Sequence, residues 1–326
     1  MRARFIECAA FTALGIAAMG AWGQLKTEPA GKANVPSPQK DRWMKELSNW
    51  GRWGKTDELG ALHLITQAKR QQAMALAKTG TVVSLMRPIV LTEKSAAIKA
   101  DGKPDGRPYY EIRFRTFPEN SFYSGFNSDV QEFAPHGALL THLDGLCHDS
   151  YGGQHYNGFP LHGTTDPVKG CTHLGIQALK EGIVTRGVLI DFPRLRGVAS
   201  LPRGSKLRPE DVEAWEKQAG VKISSGDAIF LYTGRHDDSP ETGVGYDLSI
   251  APFLKQRDVT LVSSDGANAD HQLTLAAMGV YLLDGAGLSQ AAETAARLHR
   301  WEFLLVVAPI PVPGGTGSVV NPLALF

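Results

Sequence analysis

The chain has 326 residues, 43% of them hydrophobic and 21% charged, with a formal net charge of +1. That is enough chain for a large core, and the balance is that of a globular protein rather than a disordered or fibrous one. Near-neutral charge leaves no electrostatic footprint for nucleic acid, so no nucleic-acid partner is expected.

Residues 1–23 read as a secretory signal. Arg2 and Arg4 supply a basic start, and Phe5 to Met19 is apolar but short for a membrane span. Ala21-Trp22-Gly23 is a small-x-small cleavage site. An uncleaved N-terminal anchor is the other reading. No later apolar run is long enough to span a bilayer, so no membrane contact is expected after cleavage. The expected location is outside the cytoplasm, periplasmic or secreted. Residues 24–42, with Pro29, Gly31, Pro36 and Pro38, read as a flexible leader, and 43–326 as one domain.

Trp43, Trp50 and Trp53 open that domain. They suit an aromatic core under a loop. Alternatively, Trp50 or Trp53 walls a flat, aromatic small-molecule substrate. Residues 66–79 predict a helix capped by Thr66 and stopped by Gly80. Residues 81–91 predict a strand, 94–107 a surface loop, and 109–117 an alternating strand with one buried face. Residues 133–141 lead into the next stretch.

That stretch is Thr141-His142-Leu143-Asp144-Gly145-Leu146-Cys147-His148. Six of the ten histidines fall between His136 and His173, which points to a site. His142 and Asp144 are two apart, so a strand presents both on one face. Two imidazoles and a carboxylate are ligand chemistry for a divalent ion such as Zn or Mn. Cys147 and His148 are adjacent, so a strand points them to opposite faces, which argues against a thiol nucleophile with its base. Cys147 and Cys171 remain after signal removal. Export permits a disulfide, but two cysteines make no framework, and Cys147 is expected to pack under the His148 segment.

Beyond the motif, Tyr151 to Gly158 suits a hairpin tip with a tight Gly152-Gly153 turn. His155, His162 and His173 read as surface or supporting residues. Strands are predicted at 187–192, 227–234 and 259–265, and helices at 209–219, 272–278 and 289–299. Asp270 is placed to cap the helix that follows His271. Tyr281 to Asp284 follows, and Trp301 to Val312 is a strand of high β-propensity. The Gly-rich 311–318 stretch lacks the Lys-Ser/Thr ending and following helix of a phosphate loop.

Residues 43–326 resemble the cyclase-like metal-dependent hydrolases, which include bacterial kynurenine formamidase and isatin hydrolase. Members carry His-x-Gly-Thr-His-x-Asp-x-Pro-x-His. Thr141, His142 and Asp144 match its middle and His148 its last His, while Ala138, Leu140 and Leu146 stand at its first His, Gly and Pro. Trp50-Gly51-Arg52-Trp53-Gly54 and the 311–322 segment resemble the terminal signatures of one branch.

The resemblance implies an α/β fold, a single compact domain with a β-sheet core and flanking helices, and a homodimer. It implies metal ligands His142, Asp144, His271 and Asp284, for one or two ions, with Asp284 where members carry Glu. His148 becomes the proton shuttle. The ligand lost at Ala138 is replaced by water, by His136 after a backbone detour, or by a group from another segment or subunit. The implied activity is hydrolysis of a carbon–nitrogen bond in a formamide or cyclic amide, arylformamidase-like. A cyclase, dehydratase or lactonase on the same site stays open, as do an exported binding protein without turnover and a metal-sequestering protein.

Overall fold

Nine strands form one sheet in the computed structural model, which describes residues 38–89, 110–116, 127–137, 140–235 and 243–326. In chain order they are β1 (Val82–Ser84), β2 (His142–Asp144), β3 (Ile183–Asp191), β4 (Ala228–Tyr232), β5 (Leu261–Ser264), β6 (Tyr281–Asp284), β7 (Glu302–Val307), β8 (Gly317–Val319) and β9 (Leu323–Leu325). Across the sheet the order is β1-β9-β7-β3-β4-β5-β6-β2-β8. The fold is mixed α/β, as the resemblance implies.

The middle strands β3, β4, β5 and β6 run parallel. Parallel neighbours need crossovers. These are Phe192–Arg196 with Pro209–Ala219, then Ile250–Gln256, then the π-helical turn Gln272–Met278. Both faces of these strands are buried, so they are apolar throughout rather than alternating. Val188, Leu189, Ile190, Ile229, Phe230 and Leu231 are all fully buried.

Close packing fixes residue choice here. Gly187 pairs with Phe303 across β3 and β7. A Cβ at Gly187 would lie 2.2 Å from the Phe303 ring, so no side chain fits. Trp215 packs edge-on to Trp301 with centroids 4.8 Å apart, and its Nε1 donates to the Leu189 carbonyl at 2.8 Å. Asp227, wholly buried, takes Lys69 at 2.8 Å and Arg186 at 2.7 Å, and Arg186 also pairs with Glu302 at 2.9 Å. Two cations meet two carboxylates, which is how buried charge is tolerated.

Several sequence boundaries move. The signal, most of the leader and the 94–107 loop lie outside the described residues, but the helix Pro38–Glu46 starts inside the expected leader. The helix capped by Thr66 ends at Met74, because the chain must leave it for Thr79 to bond the Phe326 carbonyl at 2.9 Å. The 81–91 strand stops at Ser84, since the Arg87 amide turns to Thr141 Oγ1 and Pro88 has no amide to give. The 109–117 strand is present over its described residues, Tyr110–Thr116, and pairs with an unforeseen strand at Asn127–Phe133. The 209–219 helix stands: Asp211 accepts from the Arg208 amide at 3.0 Å, and Gly220 ends it at φ +66°. Among the described residues, no helix is long and apolar enough to cross a membrane.

Candidate metal centre

β2 lies between β6 and β8, so its register decides what faces the motif. His142 pairs with Asp284 of β6 and Asp144 with Gly317 of β8. Leu143, between them, points into the core and is fully buried. The period of two thus sends His142 and Asp144 to one face, as expected.

Two further groups close on that face. His271 begins the π-helical turn, whose start is capped by Asp270 Oδ1 accepting from the Leu273 amide at 3.0 Å. Its Nε2 meets Asp284 Oδ2 at 2.9 Å, and Asn268 donates to the other Asp284 oxygen at 2.5 Å. His136 enters from the segment before β2. Gly137, which follows it, has φ +136°, a conformation costly for any residue with a Cβ.

Supporting bonds fix which nitrogen each imidazole offers. His142 Nδ1 donates to the Leu140 carbonyl at 2.8 Å, leaving Nε2 for the cluster. His136 Nε2 bonds Thr316 Oγ1 at 2.8 Å, leaving Nδ1. Gly317 must be glycine for that ring to fit, since a Cβ there would lie 2.8 Å from His136 Cε1. The C-terminal Gly-rich segment therefore seats a histidine.

Asp144 is the hub. It is completely buried, yet neither carboxylate oxygen has a hydrogen-bond donor. A buried carboxylate in that state is costly unless something cationic satisfies it. Oδ1 lies 3.0 Å from His136 Nδ1 and 3.5 Å from His142 Nε2, while Oδ2 lies 3.7 Å from His271 Nε2. His142 Nε2 is 3.9 Å from Asp284 Oδ2. Ligand atoms about 2.1 Å from a tetrahedral ion sit roughly 3.4 Å apart. The spacings bracket that edge length, and the donors are those of a divalent-ion site. They form two groups, His136–His142–Asp144 and Asp144–His271–Asp284, that share Asp144.

All four ligand candidates from the sequence are together, and His136 stands with them. His148 lines the same cavity outside both groups, its ring stacked on His136 at 3.7 Å. Burial, and then His136 and His271, push its pKa below 6.5 against the pull of Asp144. Both effects favour its neutral form. Burial and then the Asp284 carboxylate act on His271 in opposite senses, and the carboxylate prevails, at about 9.

Cys147 does pack beneath His148, but as a disulfide to Cys171. Two cysteines alone make no framework, so the bond was not expected from the sequence. One bond suffices to tie the His148 segment to the 171–175 loop. Trp50 and Trp53 do not line the cavity. Trp50 Nε1 donates to the Ala276 carbonyl at 2.7 Å, and Trp53 stacks on His63 at 5.5 Å. His155 is buried, His162 exposed, and His173 paired with Glu58 at 2.8 Å. The cavity has a volume of about 310 Å³, and Arg87 and Arg235 also line it. Neither carries a role in the sequence reading.

The Cyclase family model matches residues 66–271, from the Thr66 helix cap to His271. The chain belongs to the cyclase family. A crystal structure described as a novel cyclase superposes with a TM-score of 0.75 at 26% identity, over 86% of this chain and 99% of that one. Isatin hydrolase A from Labrenzia aggregata, bound to benzyl benzoate, superposes at 0.51 with 17% identity, over 79% and 98%, a likeness of fold alone. No curated protein matches the chain. The candidate ligands in chain order are His136, His142, Asp144, His271 and Asp284, with His136 two residues ahead of Ala138.

Proposed function

We propose that this cyclase-family protein is a metal-dependent hydrolase that cleaves the carbon–nitrogen bond of a formamide or cyclic amide. The observation that carries this is Asp144, buried, without a donor, and shared by two ligand groups. Cys147 and Cys171 are tied up as a disulfide, and the donors in the two groups are imidazole and carboxylate only, a set suited to Zn or Mn. A divalent ion held there supplies Lewis acidity, which polarises a carbonyl and acidifies water. His148 supplies the proton transfer. Its neutral imidazole accepts the proton from the attacking water as the new carbon–oxygen bond forms. The same nitrogen then gives that proton to the departing amine as the carbon–nitrogen bond breaks, leaving a carboxylic acid and an amine. His136, stacked on that ring, holds its plane.

Supporting an extracytoplasmic site of action are the N-terminal signal pattern and the Cys147–Cys171 bond, which forms and persists in oxidising compartments. Replacing His148 tests the mechanism. His148→Ala is expected to retain its metal and to lose at least ~10²-fold in kcat on N-formyl aromatic amines, the loss typical of a removed general acid/base. Undiminished turnover would remove His148 from the mechanism.

A further inference from the structure

The stretch from Lys40 to Trp50 precedes the part of the chain that the family model matches, and no step of the hydrolysis above uses it. It runs along the π-helical turn Gln272–Met278, which His271 opens. The last carbonyls of a helical turn have no partner within it and need donors from elsewhere. Here each has one. The Ala276 carbonyl accepts from Trp50 Nε1 at 2.7 Å, that of Ala277 from the Asn49 amide at 3.0 Å, and that of Met278 from Asn49 Nδ2 at 2.8 Å. The Gly279 carbonyl accepts from the Ala61 amide at 2.8 Å. Asn49 is buried, and its Oδ1 already accepts from Arg52 and Lys255, which fixes its Nδ2 toward Met278.

The other end of the turn is held by the same stretch. Asp270 uses Oδ1 to accept from the Leu273 amide, and Lys40 Nζ meets its Oδ2 at 2.7 Å. The stretch also reaches the hairpin behind His148, where the Tyr151 hydroxyl donates to Asp41. A turn of seven residues is too short to be stable alone, and π-helical turns are rare and concentrated at functional sites. His271 must nevertheless stay 2.9 Å from Asp284 Oδ2 and 3.7 Å from Asp144 Oδ2 for the second ligand group to exist.

We propose that Lys40, Asn49 and Trp50 are positioning residues for His271. They grip both ends of its turn and so hold the imidazole where the Asp144–His271–Asp284 group can take an ion. The ion rests on the metal-dependent reading above, whereas the grip stands on the hydrogen bonds alone. What counts in Trp50 is its indole N–H and not a ring face offered to substrate.

Two measurements test this. In the first, Zn is titrated calorimetrically into chelator-treated His136→Ala protein, which keeps the second ligand group, and into Asp284→Ala protein, which keeps the first. Adding Trp50→Phe, which retains a ring and loses only the N–H, or Asn49→Ala is expected to weaken Zn binding at least ~10-fold in the His136→Ala protein and to leave it unchanged in the Asp284→Ala protein. Equal weakening in both is the mark of a general loss of stability and overturns the proposal, as does no weakening in either. Lys40→Met, which keeps the stem without the charge, is the further variant should Asn49→Ala fail to fold. It is expected to act in the same direction, with Lys40→Arg restoring binding, and a Lys40→Met protein that binds as its parent removes Lys40 from the grip. The second measurement is amide hydrogen exchange on metal-free protein. The 273–279 amides are expected to exchange at least ~10-fold faster in Trp50→Phe than in wild type, with those of Ala228–Tyr232 unchanged. Unchanged exchange at 273–279 overturns the grip. Faster exchange there, in a protein whose wild type binds no Zn, removes the metal-dependent reading and leaves the positioning of His271 standing.

Discussion

Asp265 is 1% exposed, and its Oδ1 accepts from the Thr233 amide at 2.8 Å. Burial raises its pKa from 3.8 to about 7, against the pull of Thr233 and Arg87. The folded protein thus holds a proton that the unfolded chain releases above about pH 4. The associated stability is fully present below pH 4 and drains away as pH rises through 7, a change of order 4 kcal/mol. Asp265→Asn keeps the acceptor oxygen and cannot ionise. Its melting temperature relative to wild type is expected to rise from pH 4 to pH 8 in chelator-treated protein; a pH-independent difference would refute the buried, protonated carboxyl. At this scale the sequence was uneven. His142 and Asp144 were legible because a strand has period two. His136 was weighed only as one replacement among several, because what seats it, Thr316 and Gly317, lies some 180 residues away in the chain. Arg87 and Arg235 carry no local signal at all, since only the sheet brings them to one carbonyl, that of Asp265.

Elements were legible where local signals agree. The Pro209–Ala219 helix has proline and acids at its start and glycine at its end, and it has those bounds in the structure. The 66–79 and 81–91 segments were overextended, because what ends them is tertiary: the Phe326 carbonyl for one, Thr141 Oγ1 for the other. The Cys147–Cys171 bond belongs here too. It closes a sequence separation of 24 and anchors the segment that carries His148. A loop of that length is worth about 3 kcal/mol in the chain-entropy description. Cys171→Ser is expected to lower unfolding free energy by about that amount in denaturant titrations and to lower kcat as His148 loses its anchor. A variant with wild-type stability would mean that the bond constrains little.

The whole molecule builds one site from four distant parts. The 136–148 segment, the His271 turn, β6 and the Thr316–Gly317 seat meet because β2 inserts between β6 and β8. Composition foretold the globular class and the resemblance foretold the family. Neither showed that Asp144 turns one oxygen to each ligand group, which follows from register. That arrangement is the central claim, and metal content tests it most directly. Protein purified without an affinity tag or chelator would be analysed for bound Zn and Mn, beside Asp144→Ala and His136→Ala. The expected result is about two equivalents per chain in wild type, both lost or strongly depleted in Asp144→Ala, with one retained in His136→Ala. A wild-type protein that binds no divalent ion even after reconstitution, or an Asp144→Ala variant that binds as wild type does, would contradict it.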